Sequence, residues 1–456
     1  MLTYQDLLAA GNVEANRIDF ILSAINKHQQ SDAYKLAMEA EKYYHGENPT
    51  IMRYQKLVYD TFGRAHVNLT APNHKIASAF LESAIRQKCL YLLGNGVSFN
   101  KKDTKKKLGS SFDRVLVLVA KAAKIEGISF GFWNLNHVEP FKFTEFTPLY
   151  DEENGALMAG IRFWQLAPEK PRRITLFDSD GYTEYIQNRR DSDGKVEIFK
   201  PKRTYKRTIR RNKAEGTLII KGENYPSFPI VPLKNGTAAQ PELKGRRGAI
   251  DALDLISSGM VNDADMGSLL YWVVHNAGGM DETDDNNLLL RIMRNHIVHT
   301  DGDQDISPHQ IQVPVAASES ALNMLYHRLY TDFSIPAPDA IISGSQTATA
   351  IRASYKPLDL DTDDFEGNVT DFVKGVLALI GIEDEPTYAR NREVNAGEEI
   401  QALLQGQGIV SQAYIRREFL RIRGHIDQVE AVEKELLAEQ AAAQQMAALA
   451  QQAATA

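Results

Sequence analysis

The chain has 456 residues, of which 43% are hydrophobic and 24% are charged. This composition is typical of a globular protein, and the length suggests two to four domains at roughly 100 to 200 residues each. The net charge of -7 argues against a protein whose whole surface binds a phosphate backbone. The single cysteine, Cys89, excludes an intramolecular disulfide and a cysteine-rich zinc site.

The sequence contains no targeting or membrane signal. Its first segment, MLTYQDLLAAGNVEANRIDF, lacks the basic and then apolar pattern of a secretory signal. No apolar run approaches the roughly 20 residues that a membrane span needs. We therefore expect an intracellular protein that does not contact a membrane.

Helical periodicity dominates the first hundred residues. Apolar residues recur at helical spacing up to about residue 60, and a second helix starts at the Ser31 cap and ends before Pro49. A further helix is predicted from about Asn73 to Leu93, where the turn Gly94-Asn95-Gly96 ends it.

The character changes to strands between about residues 128 and 233. Short alternating or aromatic stretches are separated there by turn signals such as Asn154-Gly155 and Asp180-Gly181, which predicts an antiparallel sheet region. The prolines of YPSFPIVP (225–232) forbid a regular central strand, so we interpret this segment as a rigid connector.

Helical patterns return at Gly245. One long helix is predicted from there to Ala277, about 50 Å at 1.5 Å per residue. Gly259 and Gly267 each weaken it by about 1 kcal/mol relative to alanine, which predicts a kink or a close helix contact. A shorter helix is predicted from 318 to 333, and helix again from Ala348 with an interruption near Pro357. These elements together predict an α+β fold.

The motifs of catalysis and metal binding are incomplete. Residues 301–305, DGDQD, resemble the start of a calcium loop, but Ile306 and Gln312 stand where that loop needs glycine and glutamate. His296, His299 and His309 lack the helical spacing of a metal pair. The sequence has neither a P-loop nor a nucleophile elbow. We predict that the protein is not an enzyme and has neither a metal site nor a cofactor.

Two basic runs stand out against the acidic total, one at residues 101–107 and one at 200–213. Such density is able to neutralise phosphates and release counterions. The candidate DNA contacts in the second run are Lys202, Arg203, Lys206, Arg207, Arg210 and Arg211. The alternative is a solvated hairpin or loop that offsets acidic neighbours on another subunit.

The order of several segments carries a family resemblance. They are YYHGENPTI (43–51), NHKIASAFLESAIRQKCLYLLGNGVSF (73–99), GAIDALDLISSGMVNDADMGSLLYWVVHNAGG (248–279), SGSQTATAIRASY (343–355) and GEEIQALLQGQGIVSQAYIRREF (397–419). In this order they resemble the portal (head-to-tail connector) proteins of tailed bacteriophages, in the siphophage-type branch. The resemblance covers nearly the whole chain.

The resemblance implies a mainly helical portal fold of α+β class. Its expected parts are a β-rich wing with N-terminal helices (1–243), a first stem helix (244–279), a small α/β clip (280–314), a second stem helix (315–333), a tunnel loop (334–347), a long helix with a return to the wing (348–410), and a short helical crown with the C-terminal tail (411–456).

The resemblance also implies a function. Twelve subunits would form a closed ring at one capsid vertex, through which double-stranded DNA is packaged and ejected. The implied partners are the terminase large subunit, a major capsid or scaffold protein, and a head-completion adaptor. The implied location is the virion, after assembly in the host cytoplasm. The alternatives are another structural or adaptor protein of the head-tail connector and a nucleic-acid-binding enzyme subunit.

A channel that conducts DNA must not hold it, and carboxylates repel phosphates. The candidate channel carboxylates on the first stem helix are Asp251, Asp254, Asp263 and Asp265. A second acidic group after the tunnel segment comprises Asp359, Asp361, Asp363, Asp364 and Glu366. The tunnel-loop candidates, expected to form a flexible collar around DNA, are Ile341, Ile342, Ser343, Gly344, Ser345, Gln346 and Thr347. The alternative for the loop is an ordinary connector.

Overall fold

The chain forms two compact units in a computed structural model. The larger unit comprises residues 1–335 and 360–390, and the smaller one comprises 336–359 and 391–456. The structure describes residues 2–59, 62–68, 71–101, 103–188, 195–211, 218–267, 270–274, 287, 306–310, 315–338, 352–391, 396–406, 410–422, 429 and 432–439.

The helices with defined bounds are α1 (Tyr4–Ala10), α2 (Glu14–Gln30), α3 (Asp32–Tyr44), α4 (Pro49–Arg53), α5 (Phe80–Leu93), α6 (Thr104–Leu108), α7 (Phe112–Glu126), α8 (Arg247–Gly267), α9 (Val315–Asp332), α10 (Lys356–Leu379), α11 (Ala396–Gln405) and α12 (Gln412–Ile422). A short 3-10 helix covers Phe143–Glu145.

The strands are β1 (Leu57–Tyr59), β2 (Ala65–Val67), β3 (Val97–Phe99), β4 (Ile128–Asn134), β5 (His137–Lys142), β6 (Phe146–Tyr150), β7 (Leu157–Trp164), β8 (Arg172–Asp178), β9 (Gly181–Gln187), β10 (Val196–Arg203), β11 (Lys206–Arg211), β12 (Leu218–Glu223), β13 (Ile230–Lys234), β14 (Leu270–Val274), β15 (Ile306–Gln310) and β16 (Pro386–Tyr388). Every pairing among these strands is antiparallel.

Local sequence sets the ends of the first helices. Thr3 and Asp6 form a capping box at the start of α1, and Ser31 accepts a hydrogen bond from the Tyr34 N–H at the start of α3. Asn48 caps α4, whose first residue is Pro49. These caps satisfy backbone N–H groups that the first turn of a helix leaves without partners.

Two sheets form the β-rich part of the larger unit. The five-stranded sheet has the order β10-β9-β8-β7-β6, and the three-stranded sheet has the order β13-β4-β5. Helix α7 packs on β4, β5 and β13. The chain turns sharply from α7 into β4 at Gly127, whose φ is +90° and where a Cβ would lie 2.5 Å from the carbonyl oxygen of Ala239. Glycine is therefore required at this turn.

The core of the larger unit is apolar and rich in aromatic rings. Helices α1 and α2 cover one face of the five-stranded sheet, where Ile21 and Ile25 pack with Ile161 and Ile174. Helix α10 contributes Phe372, whose ring fills the space beside Gly131 on β4. This arrangement ties the sheets to helices from both ends of the larger unit.

The structure confirms the α+β class and the antiparallel sheet region. The prediction of one helix from 245 to 277 is wrong beyond Gly267, because 270–274 form strand β14 paired with β15. The run LYWVV is aromatic and β-branched, so it fits a pleated strand better than a helix. The predicted boundaries of wing, stem, clip and crown stay predictions.

Two further expectations were wrong at their edges. The helix predicted from 73 begins only at Phe80, because the preceding residues bond to α8 as described below. The proline-containing segment expected to be a connector ends in β13, an edge strand that tolerates Pro232. The interruption predicted near Pro357 is confirmed, because residues 352–354 are helical, Tyr355 is a turn, and Pro357 lies in the first turn of α10, where its missing N–H costs nothing.

No helix among the described residues combines the length and the hydropathy needed to cross a lipid bilayer.

Candidate functional site

Helix α8 carries all four predicted channel carboxylates, and the structure divides them into two pairs. Asp263 and Asp265 are the exposed pair, with side chains 47% and 55% accessible. The Asp263 carboxylate lies 3.9 Å from the Lys56 ammonium, and that of Asp265 lies 3.2 Å from His74 Nε2. Both carboxylates therefore face solvent in the subunit.

Asp254 lies in the interior. It is only 1% exposed, and its carboxylate accepts hydrogen bonds from Asn48 Nδ2 at 2.7 Å and from the Ser78 N–H at 3.0 Å. Burial raises the pKa of this carboxyl group, although the two hydrogen bonds oppose the shift. A carboxylate enclosed in this way does not face solvent in the subunit.

Asp251 is partly buried and serves the same junction. Its carboxylate accepts a 2.6 Å hydrogen bond from the Tyr43 hydroxyl and lies 3.5 Å from Arg247. Burial, together with the bond to Asp251, raises the pKa of Tyr43 to about 12. Among the four carboxylates, Asp263 and Asp265 are thus the pair best placed to meet a molecule outside the subunit.

Three polar side chains of α8 hold the segment that precedes α5. The N–H groups of His74, Ile76 and Ser78 donate to side-chain oxygens of α8 at 2.7, 2.9 and 3.0 Å. The acceptors are, in the same order, Asn262, Ser258 and Asp254. We call these three acceptors the polar ladder.

The spacing of the polar ladder has a geometric basis. Two residues of nearly extended chain advance about 6.6 Å, and four residues of helix advance about 6 Å. Every second N–H of the segment can therefore meet every fourth side chain of α8. The ladder supplies backbone N–H groups with partners that a neighbouring strand would otherwise provide.

A second polar cluster lies where α5, α7 and α10 meet the segment before α8. Lys88 Nζ lies 3.1 Å from Glu242 and 3.0 Å from Asp361, and Lys124 Nζ lies 3.0 Å and 3.8 Å from the same two carboxylates. The two lysines and two carboxylates alternate, and we call these four residues the ionic square.

Arg246 extends the ionic square towards α9. Its guanidinium group lies 2.7 Å from the Glu242 carboxylate and donates a 2.7 Å hydrogen bond to the Asp332 carbonyl oxygen. It also lies over the Phe333 ring, 4.8 Å from the centroid. One network thus joins α5, α7, α10, the end of α9 and the start of α8.

The ionic square holds Glu242 and Lys124 in their charged forms. Burial alone would raise the pKa of the Glu242 carboxyl group, but Lys124, Lys88 and Arg246 hold it well below its ordinary value. Burial likewise opposes the charge on Lys124, whereas Glu242 and Asp361 raise the pKa of that ammonium. Removing one member would leave buried charge without compensation.

The predicted DNA contacts fall on β10 and β11. Lys202 pairs with Asp178 at 3.3 Å and also with Asp180, and Arg203 pairs with Glu184. Intramolecular carboxylates thus already neutralise part of this basic run.

The remaining candidates lie on β11. Lys206 lies over the Tyr225 ring, 4.3 Å from its centroid, and Arg207 is exposed. The backbones of Arg210 and Arg211 pair with β12, and their side chains lie outside the described residues. A role in DNA contact stays a prediction for all six residues.

The seven tunnel-loop candidates at 341–347 lie outside the described residues. So do nearly all residues of the predicted clip, apart from residue 287 and strand β15. In the part of the chain that the structure describes, no group of three or more histidine, cysteine or acidic side chains is arranged to hold a metal ion.

Sequence reasoning missed the ionic square. Asp361 was assigned to an acidic group expected to repel DNA, but it pairs with Lys88 inside the larger unit. The available signal was a lysine on each of two otherwise apolar helix faces, Lys88 beside Ile85 and Leu92, and Lys124 beside Ala120. Lysines at such positions require buried carboxylates elsewhere in the sequence.

Comparison with protein families decides the assignment. The model of the family described as "Phage portal protein, SPP1 Gp6-like" matches residues 24–446. The chain belongs to this family. The family is a structural one, and the match includes α8, α9 and α10 together with both sheets.

Two curated portal proteins show the same relationship at low identity. The portal protein of Bacillus phage SPP1 is 22% identical over 409 residues, which cover 82% of this chain and 78% of that protein. The portal protein of Clostridium phage phiCD119 is 25% identical over 228 residues, or 47% of this chain. The second match spans about half of the Clostridium phage protein's own length, 49%.

Two solved structures of gene transfer agent (GTA) particles also align with this portal protein. A chain from the neck of the native particle is 9% identical with a TM-score of 0.39, and a chain from the virion is 12% identical with a TM-score of 0.41. Each alignment covers 75% of this chain and 89% of the other.

Proposed function

We propose that this portal protein forms a closed ring of twelve subunits at one capsid vertex and is the channel for genome packaging and ejection. The family match over residues 24–446 carries the proposal. It favours the portal over the two alternatives, an adaptor in a smaller assembly and a nucleic-acid-binding enzyme subunit. The proposed location is the capsid of the virion, after assembly in the host cytoplasm.

The exposed carboxylates of α8 support a conducting role. Asp263 and Asp265 are half exposed and lie two residues apart near the end of the helix. Rotational symmetry would repeat this pair around the ring, and the charges would act on DNA phosphates that pass within the Debye length of about 8 Å at physiological salt. A wall of this sign repels phosphates, so DNA passes without binding tightly.

The apolar surface of α8 and α9 supports a ring. The two helices pack against each other, and several large apolar side chains on them remain exposed. These are Leu255, Val261, Val315, Met324 and Tyr326. Contacts from the two neighbouring subunits would cover them, since a closed ring buries one surface of each subunit against a different surface of the next.

The proposed macromolecular partners follow from the family's role. They are double-stranded DNA in the channel, the terminase large subunit, a major capsid or scaffold protein, and a head-completion adaptor. On the DNA side, Lys206 and Arg207 are proposed as contacts because neither has a carboxylate within ion-pair distance among the described residues.

A packaging assay tests the channel role. The double variant Asp263→Lys/Asp265→Lys converts two repelling charges per subunit into attracting ones, so packaged DNA should fall several-fold while rings still form. Asp32→Lys on α3 is the matched control, since Asp32 is an exposed aspartate whose one ion pair within the described part of the chain is with nearby Lys35. Unchanged packaging by the double variant would contradict a channel lined by α8.

A further inference from the structure

The members of the ionic square are not equally enclosed. The side chains of Lys88, Lys124 and Glu242 are 1%, 3% and 5% exposed, whereas that of Asp361 is 24% exposed. Asp361 Oδ2 is itself buried, lies 3.8 Å from Lys124 and has no hydrogen-bond partner among the described residues. Asp361 is therefore the least enclosed member of the square and the one with an unused acceptor.

The corner at Asp361 opens into a pocket of about 250 Å³. Lys124, Glu242 and Arg246 also line it, together with Asn235, Gln240 and Lys244 and with Asp364 and Phe365 of α10. A polar pocket of this size admits water. Water can therefore replace the lysines as the partner of Asp361 without entering the apolar core.

Glu242 has partners that do not involve Asp361. Both lysines lie within 3.1 Å of Glu242, and Arg246 lies at 2.7 Å. Lys88 and Lys124 would therefore both keep Glu242 as a partner, so no buried lysine on α5 or α7 would lose its last carboxylate. With Asp361 released, three cations would share one carboxylate. Dissolved anions would stabilise this excess of positive charge.

The position of Asp361 in the chain matters as well. The second part of the larger unit begins at Leu360. Asp361 is therefore among the first residues of α10 that belong to that unit. The next aromatic residue, Phe365, is buried and lies under the Lys124 ammonium, 4.1 Å from the ring centroid. Asp361 and Phe365 are thus two successive anchors, one polar and one apolar.

We propose that the ionic square is a reversible polar joint, in which Asp361 releases while Glu242 holds, so that residues 360–366 of α10, Phe365 included, open locally while α5 and α7 stay folded. Local opening of this kind draws on the low end of the stability range within a folded protein. The joint is a property of the subunit and does not depend on ring formation.

Hydrogen–deuterium exchange of the full chain tests the joint. Asp361→Asn removes the charge but keeps the shape, and exchange at residues 360–366 should become several-fold faster while helices α5 and α7 stay protected. Asp371→Asn is the matched control, an exposed aspartate farther along the same helix and outside the pocket lining. It should leave exchange unchanged.

Salt and an apolar replacement sharpen the test. Raising salt from about 0.1 M to about 1 M should speed exchange at 360–366 in the native protein, because ions stabilise the opened charges. In Lys88→Met/Asp361→Leu the same residues should exchange more slowly and without salt dependence. The proposal is overturned if Asp361→Asn leaves 360–366 unchanged or speeds α5 and α7 equally, or if salt has no effect on the native protein.

Discussion

Glu242 and Glu126 are both buried glutamates of the larger unit, but the pKa values of their carboxyl groups are shifted in opposite directions. Burial raises both pKa values. At Glu242, three cations outweigh burial and hold the carboxyl group ionised. At Glu126, no cation lies within ion-pair distance in the described part of the chain, and burial raises the pKa to about 7.

The partners of Glu126 explain the difference. Its carboxylate accepts a 2.9 Å hydrogen bond from the Thr144 N–H and a 3.4 Å one from the Thr144 hydroxyl, both in the short 3-10 helix. These dipoles lower the pKa less than burial raises it. The comparison shows that neighbouring cations, and not depth of burial, decide whether an interior carboxylate is charged.

The largest expected effect comes from removing the carboxylate of Glu242, the buried glutamate with three cationic neighbours. Among the described residues, Glu242→Gln leaves Lys88 and Lys124 with Asp361 as their one carboxylate and leaves Arg246 with none. We expect the free energy of unfolding to fall by about 3–5 kcal/mol, as it does when one partner of a buried pair is removed. Urea unfolding at a fixed protein concentration measures this, because assembly makes stability depend on concentration.

Glu184→Gln provides the matched control for that variant. Glu184 also meets two cations, Lys200 and Arg203, but on the more open surface of the five-stranded sheet. Its loss should cost under about 1 kcal/mol. Equal effects at the two glutamates would contradict the distinction between the buried and the surface pairs.

The second prediction concerns Glu126 and its effect on how stability changes with pH. The folded pKa of Glu126, about 7, lies above its ordinary value of 4.5, so the folded state binds the proton more tightly than the unfolded state. Its contribution to stability is therefore lost as pH rises from about 4.5 to about 7. Glu126→Gln should remove this loss, leaving the variant up to about 3 kcal/mol more stable than the native protein at pH 8.

The titration of His28 also changes stability with pH, so the effect of Glu126 has to be read from the difference between the native protein and Glu126→Gln. Its Nε2 lies 2.9 Å from the Phe143 carbonyl oxygen, and burial lowers its pKa below 6.5. Stability from this group therefore rises with pH up to about 6.5, which partly masks the opposite trend of Glu126. Subtracting the two urea-unfolding profiles isolates Glu126, and a pH-independent difference would refute the assignment.

A smaller effect is expected from the polar ladder. Asn262→Ala removes the acceptor of the 2.7 Å hydrogen bond from the His74 N–H. We expect thermal or urea unfolding to report a loss of about 1–2 kcal/mol. Asp263→Ala changes the next residue, which is exposed, and should stay within about 0.5 kcal/mol of the native protein. A larger loss for Asp263→Ala than for Asn262→Ala would contradict the inward position of Asn262 on α8.

The smallest effect is expected at Gly259. No described atom lies within 4 Å of a Cβ added there, so the kink or close contact predicted from sequence finds no partner inside the subunit. Gly259→Ala should therefore stabilise the subunit by about 1 kcal/mol through helix propensity alone. Destabilisation in thermal unfolding would mean that a backbone or a neighbouring subunit approaches this position.

The fold class and the elements with strong periodicity were predictable from the sequence. Turn pairs such as Asn154-Gly155 and Asp180-Gly181 marked the hairpins, because glycine there relieves backbone strain. The helical spacing of apolar residues in α5 marked its buried face. The run at 270–274 was assigned to a helix because its apolar residues continue the preceding pattern, whereas pairing with β15 depends on residues more than thirty positions away.

The interior polar groups were less predictable. Asp254 and Asp263 have the same side chain on the same helix, and periodicity alone does not reveal that one bonds to Ser78 and the other faces solvent. Lys88 finds its carboxylates 154 and 273 residues away in sequence. Such contacts are set by the tertiary fold, which local patterns do not encode.

Negative-stain electron microscopy of the purified protein tests the proposed ring directly. We expect particles that average to a closed ring of about twelve subunits with a central hole, since heterologous contacts that close generate rings. Monomers or dimers without a central hole at concentrations where portal rings persist would contradict it.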